Sequence, residues 1–349
     1  MVLMSSVPQT GFLGPIKVAD NVWIIRKLFH LGADQKSGLT WEGLRDRFLS
    51  LLGKTPMSHP ALMLHNEQES TEVQIEEERV MVSKLINGDT VPFPLDSTMT
   101  IIRGEEDKLT LHSVVEVEPQ LISAVNQLGT VDLILIPNLQ HWLFLEGWAR
   151  EFPNAAIGLG PSAFDEDLRS KMEFLTYHRG QVFDLTDGES FGEGANEIYS
   201  NSSSNLEARL LRGAPLNLNE YVFFHKLSGT LITADSFYGG YVDDEIPTWF
   251  ARIWFKLTKD GSFRLPRLPI YRTSRVLSHG NSDELFDSVE DMVRDWDIKI
   301  IIFAHGTSPF DQGRIMSNSE NGGELNDNAV GELFVNCWRD GLAALEHKS

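Results

Sequence analysis

Five polar side chains of the kinds that bind metal ions stand where predicted strands end. They are His112, Asn138, His141, Asp235 and His305. In α/β folds, ligands bind in the crevice at the carboxyl ends of the strands, and the loops there carry chemistry on a rigid sheet. Three imidazoles, one carboxylate and one amide in one place would suit a divalent ion such as zinc or iron. The pattern therefore predicts one polar site at a sheet edge.

Four of these side chains also have an ordinary structural explanation, which the sequence leaves open. Asp235 follows an uncharged strand and could cap a turn instead of pairing with a cation. Asn138 is a good helix N-cap residue. His112 could hydrogen bond to neighbouring backbone, and His305 could be a packed histidine. The metal-site interpretation therefore depends on whether the side chains converge.

Two hairpins are the elements that must position these side chains. Strands at 98–103 and 108–114 flank a charged turn, and strands at 220–226 and 230–234 flank the turn Leu227–Gly229. Further strands are expected at 21–28, 131–136, 155–159, 181–184 and 299–304, and helices from Pro119 and at 142–151, 163–174, 283–296 and 326–346. Residues 187–218 are rich in Gly, Ser and Asn and predict a long loop. Alternating helices and strands indicate a layered α/β fold.

Composition excludes several classes of function. The chain has 349 residues, 42% of them hydrophobic, and a formal net charge of -20. Such acidity argues against nucleic-acid binding, which requires basic patches. No signal peptide or stretch of about 18 apolar residues is evident, and the single cysteine precludes an intrachain disulfide. We therefore expect a cytoplasmic protein with no nucleic-acid or membrane partner, of undetermined oligomeric state.

Three segments resemble a known family. PNLQH at 137–141, NEYVFFHKLSGTLITADSFY at 219–238 and IIIFAHG at 300–306 are similar to the metallo-β-lactamase fold superfamily, and more narrowly to its branch catalogued as domain of unknown function 4336. The resemblance covers about residues 18–30 and 93–308. It implies an α/β fold with a four-layer αβ/βα sandwich. We expect a single domain over residues 1–349, with an inserted helical and acidic segment at about 33–92 and a C-terminal helix at about 326–346.

The resemblance also implies a reduced metal site. Typical members carry His-x-His-x-Asp-His after the strand equivalent to 131–136, but here the region reads IPNLQHW, so only His141 remains. Asp235 matches the family's bridging aspartate, and His305 matches its last histidine. A single zinc or iron ion held by His141, Asp235 and His305 is the site that remains.

Two functions are compatible with this reduced site. The first is a metal-dependent hydrolase acting on a small-molecule substrate, with Asp235 and His112 as catalytic residues. His112 would complete the metal shell or act as a base. Asn138, Asn219, Glu220 and Tyr238 are the candidate substrate-binding residues. The alternative is a non-catalytic binding or interaction protein on a degenerate scaffold, because a fold alone does not transmit function.

Overall fold

A computed structural model describes nine segments and two isolated residues of the chain. They are residues 14–31, 72–89, 91, 93–160, 172–185, 190–191, 205–213, 220–235, 239, 281–313 and 329–336. The chain divides into two compact units: Met1–Gln9, Leu28–Asp96 and Tyr241–Leu265 form one, and Thr10–Lys27, Ser97–Gly240 and Pro266–Ser349 form the other. The expectation of a single domain stays a prediction.

The described part of the first unit is dominated by one helix, α1 (Glu72–Ile86). Its buried positions Glu78, Val82 and Leu85 are four and three residues apart, which places them on one helical face. The helix lies in the segment 33–92 that we predicted to be an insertion, part helix and part loop. The helical spacing of Trp41, Leu44 and Phe48 also predicts a helix that begins near Trp41, but these residues lie outside the described part of the chain.

The first sheet has seven strands that follow one another in chain order. They are β1 (Ile16–Ala19), β2 (Val22–Leu31), β3 (Phe93–Arg103), β4 (Lys108–His112), β5 (Thr130–Ile136), β6 (Ala156–Leu159) and β7 (Val182–Asp184). Strands β3 and β4 form the predicted antiparallel hairpin. Strands β4 to β7 are parallel, so their carboxyl ends meet at one edge.

The second sheet has six strands in the order β13-β12-β11-β10-β9-β8. Their bounds are β8 (Ser190–Phe191), β9 (Leu206–Leu210), β10 (Tyr221–His225), β11 (Thr230–Ile232), β12 (Ile300–Ile302) and β13 (Phe310–Asp311). Strands β10 and β11 form the second predicted hairpin, and β11 pairs in parallel with β12.

Strand β9 corrects the prediction that residues 187–218 form one long loop. Leu206 and Ala208 are fully buried, while Glu207 between them is half-buried. This alternation is typical of a strand. The polar run Asn201–Asn205 before it obscured the signal, because Ser and Asn clusters favour loops.

Helices cover the outer face of each sheet. On the first sheet, Leu109, Leu111, Ile134 and Ile136 pack in one core with Leu121 and Val125 of α2 (Pro119–Leu128) and with Leu145 and Trp148 of α3 (Leu145–Glu151). On the second sheet, Val222, Phe224, Leu231 and Ile301 pack with Leu285, Val289 and Met292 of α4 (Ser282–Asp295). Each sheet is therefore covered by helices on one face.

The other faces of the two sheets meet inside the second unit. The Tyr221 N–H donates to the Pro137 carbonyl at 2.9 Å, and the Thr98 N–H donates to the Ala304 carbonyl at 2.7 Å. The rings of His112 and Phe223 contact each other edge to face, with centroids 5.2 Å apart. Helix, sheet, sheet and helix thus form the four-layer αβ/βα sandwich, which confirms the predicted fold class.

The bounds of three predicted helices differ from the structure or are only partly described. Helix α3 begins at Leu145 and not at 142, because residues 138–144 form turns. Of the predicted C-terminal helix, residues 329–336 are described, and all of them are helical. Most of the helix predicted at 163–174 lies outside the described residues. None of the described helices is long and apolar enough to span a bilayer.

Candidate metal centre

Strand pairing brings Asp235 and His305 to equivalent positions of adjacent loops. Strands β11 and β12 are parallel, with Thr230 paired with Ile300. Asp235 and His305 each lie five residues beyond this pair, so the register places them side by side. The Thr233 N–H, which donates to the Ile302 carbonyl at 2.9 Å, continues the pairing beyond the strands. Two ligand-type side chains therefore leave the second sheet together.

His141 reaches the same place from the first sheet. It lies on the turn that follows β5, and its Nε2 is 3.0 Å from Asp235 Oδ2. The other carboxylate oxygen of Asp235, Oδ1, is 3.0 Å from His305 Nε2. One ligand atom from each of the three residues lies within 4.8 Å of the other two. The structure therefore brings together the three residues that the sequence predicts as metal ligands.

The group is buried and electrostatically coupled. The side chains of His141, Asp235 and His305 are only 8%, 6% and 5% exposed. Burial alone would raise the pKa of Asp235, but the charge on His141 and hydrogen bonds from His141 and His305 outweigh it. The pKa of Asp235 is therefore held well below its usual range, and the carboxylate is ionised at neutral pH.

The donor set fits a single divalent ion. Two imidazole nitrogens and one carboxylate oxygen are a set found in catalytic zinc sites, which keep one position open. The same set is the facial triad of non-haem iron(II). An ion bound to all three residues would lie about 2.0–2.2 Å from each ligand atom. The ligand atoms around such an ion must lie close to one another, and the two 3.0 Å contacts already hold them at nearly that separation. The chemistry of the group thus suits zinc or iron.

Asn138 connects the two sheets' contributions. Its Oδ1 accepts hydrogen bonds from the backbone N–H groups of Gln140 and His141, at 2.9 and 3.1 Å. Its Nδ2 donates to Asp235 Oδ2 at 2.9 Å and to Glu220 Oε2 at 3.0 Å. The side chain therefore caps the turn that holds His141 and not the helix, whose N-cap is Phe144, and it also fixes the position of Asp235.

Glu220 holds the backbone that carries Asp235. Its carboxylate is fully buried and accepts from the Ala234 N–H at 2.8 Å and the Asp235 N–H at 2.7 Å. A buried charge is tolerated when such donors surround it. Roles for Asn138 and Glu220 in substrate binding stay predictions. Asn219 and Tyr238 lie outside the described residues.

Ser113 is a contact that the sequence did not assign to the site. Its Oγ lies 2.5 Å from His141 Nδ1, and its backbone has φ 55°, a left-handed conformation that is uncommon for serine. Metal-binding histidines usually donate their second ring N–H to such a partner. A His141 tautomer protonated on Nδ1 would donate to Ser113 and leave the Nε2 lone pair for an ion. The available signal was a serine directly after a strand end.

His112 lies apart from the three-residue group. It is 1% exposed, and neither ring nitrogen has a hydrogen-bond partner among the described residues. Burial, and secondarily the charge on His141, lowers the pKa of His112 to about 3. The ring is therefore neutral at neutral pH and a weak proton acceptor. Its assignment as a fourth ligand or as a catalytic base stays a prediction.

The sandwich and the His–Asp group at its edge describe the kind of scaffold. A comparison of the sequence with known protein families then indicates the family. Residues 91–253 match the model of the family described as Domain of unknown function (DUF4336). This match confirms the resemblance drawn from the sequence over that stretch. A comparison with curated proteins found no match.

Solved structures with a similar fold include metallo-β-lactamases. One, from Erythrobacter litoralis with β-mercaptoethanol in the active site, is 11% identical with a TM-score of 0.47, over 95% of this chain and 98% of that one. Another, from Pseudomonas aeruginosa in the mono-zinc form, is 8% identical with a TM-score of 0.45, over 97% and 99%. A metal-soaked flavodiiron core from Synechocystis is 9% identical with a TM-score of 0.49, over 94% and 60%.

Proposed function

We propose that this chain is a metal-dependent hydrolase that acts on a small molecule and uses one ion held by His141, Asp235 and His305. The observation that supports it is the convergence of two imidazole nitrogens and one carboxylate oxygen within 4.8 Å. These atoms come from loops of both sheets. Segments from both sheets must fold together to create the group, and its side chains are buried. The group therefore differs from a chance cluster of side chains on the surface.

The chain's own residues prepare the site in three ways. Asp235 directs one oxygen toward each histidine, and its lowered pKa keeps it ionised. Ser113 and Asn138 fix His141, one through the ring and the other through the backbone N–H. Burial excludes bulk water, which strengthens every charge interaction inside.

A bound zinc ion would supply Lewis acidity and make water a stronger nucleophile near neutral pH. Iron(II) suits the same donors. Elemental analysis distinguishes the two metals. A cytoplasmic location also belongs to this proposal and is supported only by the composition of the sequence. The substrate class stays open between esters, thioesters, lactones and phosphoesters.

Elemental analysis of the purified protein tests the metal site. We expect close to one equivalent of zinc or iron in the wild type and almost none in His141→Ala or His305→Ala. His178→Ala is the matched control, because His178 Nε2 contacts the Ala155 carbonyl at 2.7 Å, before β6 and at the opposite end of the parallel strands. Hydrolysis of ester and phosphoester probes should disappear with a chelator and return with the metal.

The outcome also separates the two candidate functions. A wild-type protein that takes up no ion from zinc or iron(II) solutions would contradict the hydrolase proposal and favour a non-catalytic binding protein. Metal retained by both histidine variants would contradict the assigned ligands. Stoichiometric metal without turnover on any probe class would contradict the hydrolase activity while leaving the site intact.

A further inference from the structure

Unpaired polar atoms are concentrated in one buried patch. Among the described residues, six buried side-chain nitrogen or oxygen atoms have no hydrogen-bond partner, and four of them belong to Thr98, Thr100 and His112. These three residues are each 1% exposed. Unsatisfied buried groups are rare in folded proteins, and each one requires an explanation. Their clustering suggests one common explanation.

The patch lies on the inner face of the first sheet. Thr100 and His112 are paired across β3 and β4, and Thr98 lies two residues before Thr100 on the same strand face. The intervening residues Met99 and Ile101 belong to the core beneath the helices. The three polar side chains therefore face the space between the sheets, where Phe223 contacts the His112 ring.

The chemistry of the patch selects a small neutral ligand. Each threonine hydroxyl can donate and accept, and a neutral imidazole has one donor and one acceptor. Thr98, Thr100 and His112 include no acidic or strongly basic side chain, and the buried Asp96, two residues before Thr98 on β3, has an interaction of its own. Buried water typically makes about three hydrogen bonds to polar groups that otherwise lack partners. The number and the neutrality of these groups match that requirement.

We propose that Thr98, Thr100 and His112 form an internal binding site for water between the two sheets. The site adjoins the candidate metal centre through both strands. The Thr98 N–H donates to Ala304, which precedes His305, and Ser113, which follows His112, contacts His141. The water site goes beyond the proposed hydrolase function, because it needs no metal ion to form.

A crystal structure of the full chain at a resolution that shows ordered water is the direct test. We expect a water oxygen about 2.7–3.2 Å from a His112 ring nitrogen and from at least one threonine hydroxyl. The same water should persist in His141→Ala crystals grown with a chelator. A direct hydrogen bond between Thr100 and His112, or a dry patch, would overturn the proposal whether or not the metal centre exists.

Valine substitutions provide an independent readout, because the sign of the effect differs between a wet and a dry patch. If water is bound, Thr100→Val and Thr98→Val should each raise the unfolding equilibrium constant about fivefold, the usual effect of one lost hydrogen bond. If the patch is dry, removing an unpaired hydroxyl should leave that constant unchanged or lower it.

Two further variants complete the experiment. Thr233→Val is the positive control, because the Thr233 hydroxyl donates directly to the Ile302 carbonyl at 3.2 Å, and its loss should raise the constant whether or not water is present. The double variant Thr100→Val with His112→Leu should show less than the product of the two single effects, since both groups share one partner. Independent effects would contradict a shared water.

Discussion

Two buried polar regions of the second unit differ in how their atoms are paired. At the candidate metal centre, Asp235 contacts His141, His305 and Asn138. In the patch on β3 and β4, the side-chain polar atoms of Thr98, Thr100 and His112 have no hydrogen-bond partners among the described residues. Both regions are almost wholly inaccessible to solvent, so burial alone does not separate them.

The difference shows what a buried polar group requires. A fully paired network holds its members in one geometry and makes every member costly to remove. Unpaired groups cost free energy unless water or another ligand satisfies them. Under the two proposals, the first region would hold an ion at fixed positions and the second a small neutral molecule. The following experiments test that contrast, beginning with the largest expected effect.

Removing the shared carboxylate should have the largest effect. Asp235 joins both histidines, so we expect Asp235→Ala to weaken zinc affinity well beyond the roughly 10–100-fold that loss of an outer partner causes. Isothermal titration calorimetry measures the change. Asp297→Ala is the control, because that aspartate is exposed and pairs with Lys299 at 3.0 Å. Equal affinities in the two variants would exclude Asp235 as a ligand.

Glu220→Gln tests the support beneath Asp235. In this variant an amide NH2 group replaces one carboxylate oxygen and would face the N–H groups that now donate to Glu220. We therefore expect the free energy of unfolding to fall by about 3 kcal/mol. Urea denaturation measures it. Glu116→Gln, which weakens the ion pair between the exposed Glu116 and Lys27 at 3.3 Å, should cost less than about 1 kcal/mol. Comparable losses in both variants would show that Glu220 has no special role.

Acidification should destabilise the protein through His112. Its pKa is lowered to about 3 in the folded protein. As the pH falls below about 6.5, His112 therefore becomes protonated in the unfolded chain but stays neutral in the folded chain. The free energy of unfolding should fall by about 2 kcal/mol between pH 6.5 and 5. His112→Leu should remove that part of the pH dependence.

Other groups add to the same acid sensitivity. His225, whose pKa burial lowers to about 4, contributes in the same direction and range. Asp235, with its lowered pKa, adds a loss below about pH 4, where the unfolded carboxyl group gains its proton first. A His112→Leu profile that parallels the wild type would mean that His112 is not buried in a neutral form.

Ser113→Ala should have the smallest effect of the series. It removes the partner of His141 Nδ1 and leaves all three ligands in place, so we expect zinc affinity to fall about tenfold. Ser113→Thr, which keeps the hydroxyl, should restore part of the affinity. If alanine and threonine variants bind zinc like the wild type, Ser113 does not orient His141.

The sequence singled out the candidate ligands His141, Asp235 and His305 because they follow apolar strands, and the ends of such strands can be recognised from the sequence alone. The pairing of β11 with β12 then places Asp235 beside His305, as a parallel register requires. The fold class was accessible for the same reason, since alternating helices and strands mark an α/β architecture.

The supporting contacts could not be predicted, because they join segments far apart in the chain. Ser113 and His141 are 28 residues apart, and Asn138 and Glu220 are 82 apart. No local pattern encodes these distances. The unpaired state of His112 was equally hidden, because it depends on what the opposite sheet provides, which is the ring of Phe223.

Anomalous X-ray scattering at the zinc edge, from crystals loaded with one equivalent of zinc, tests the central claim most directly. We predict one peak about 2.0–2.2 Å from Nε2 of His141, Nε2 of His305 and a carboxylate oxygen of Asp235. No peak at this position, or a single peak bound by other residues, would contradict the account.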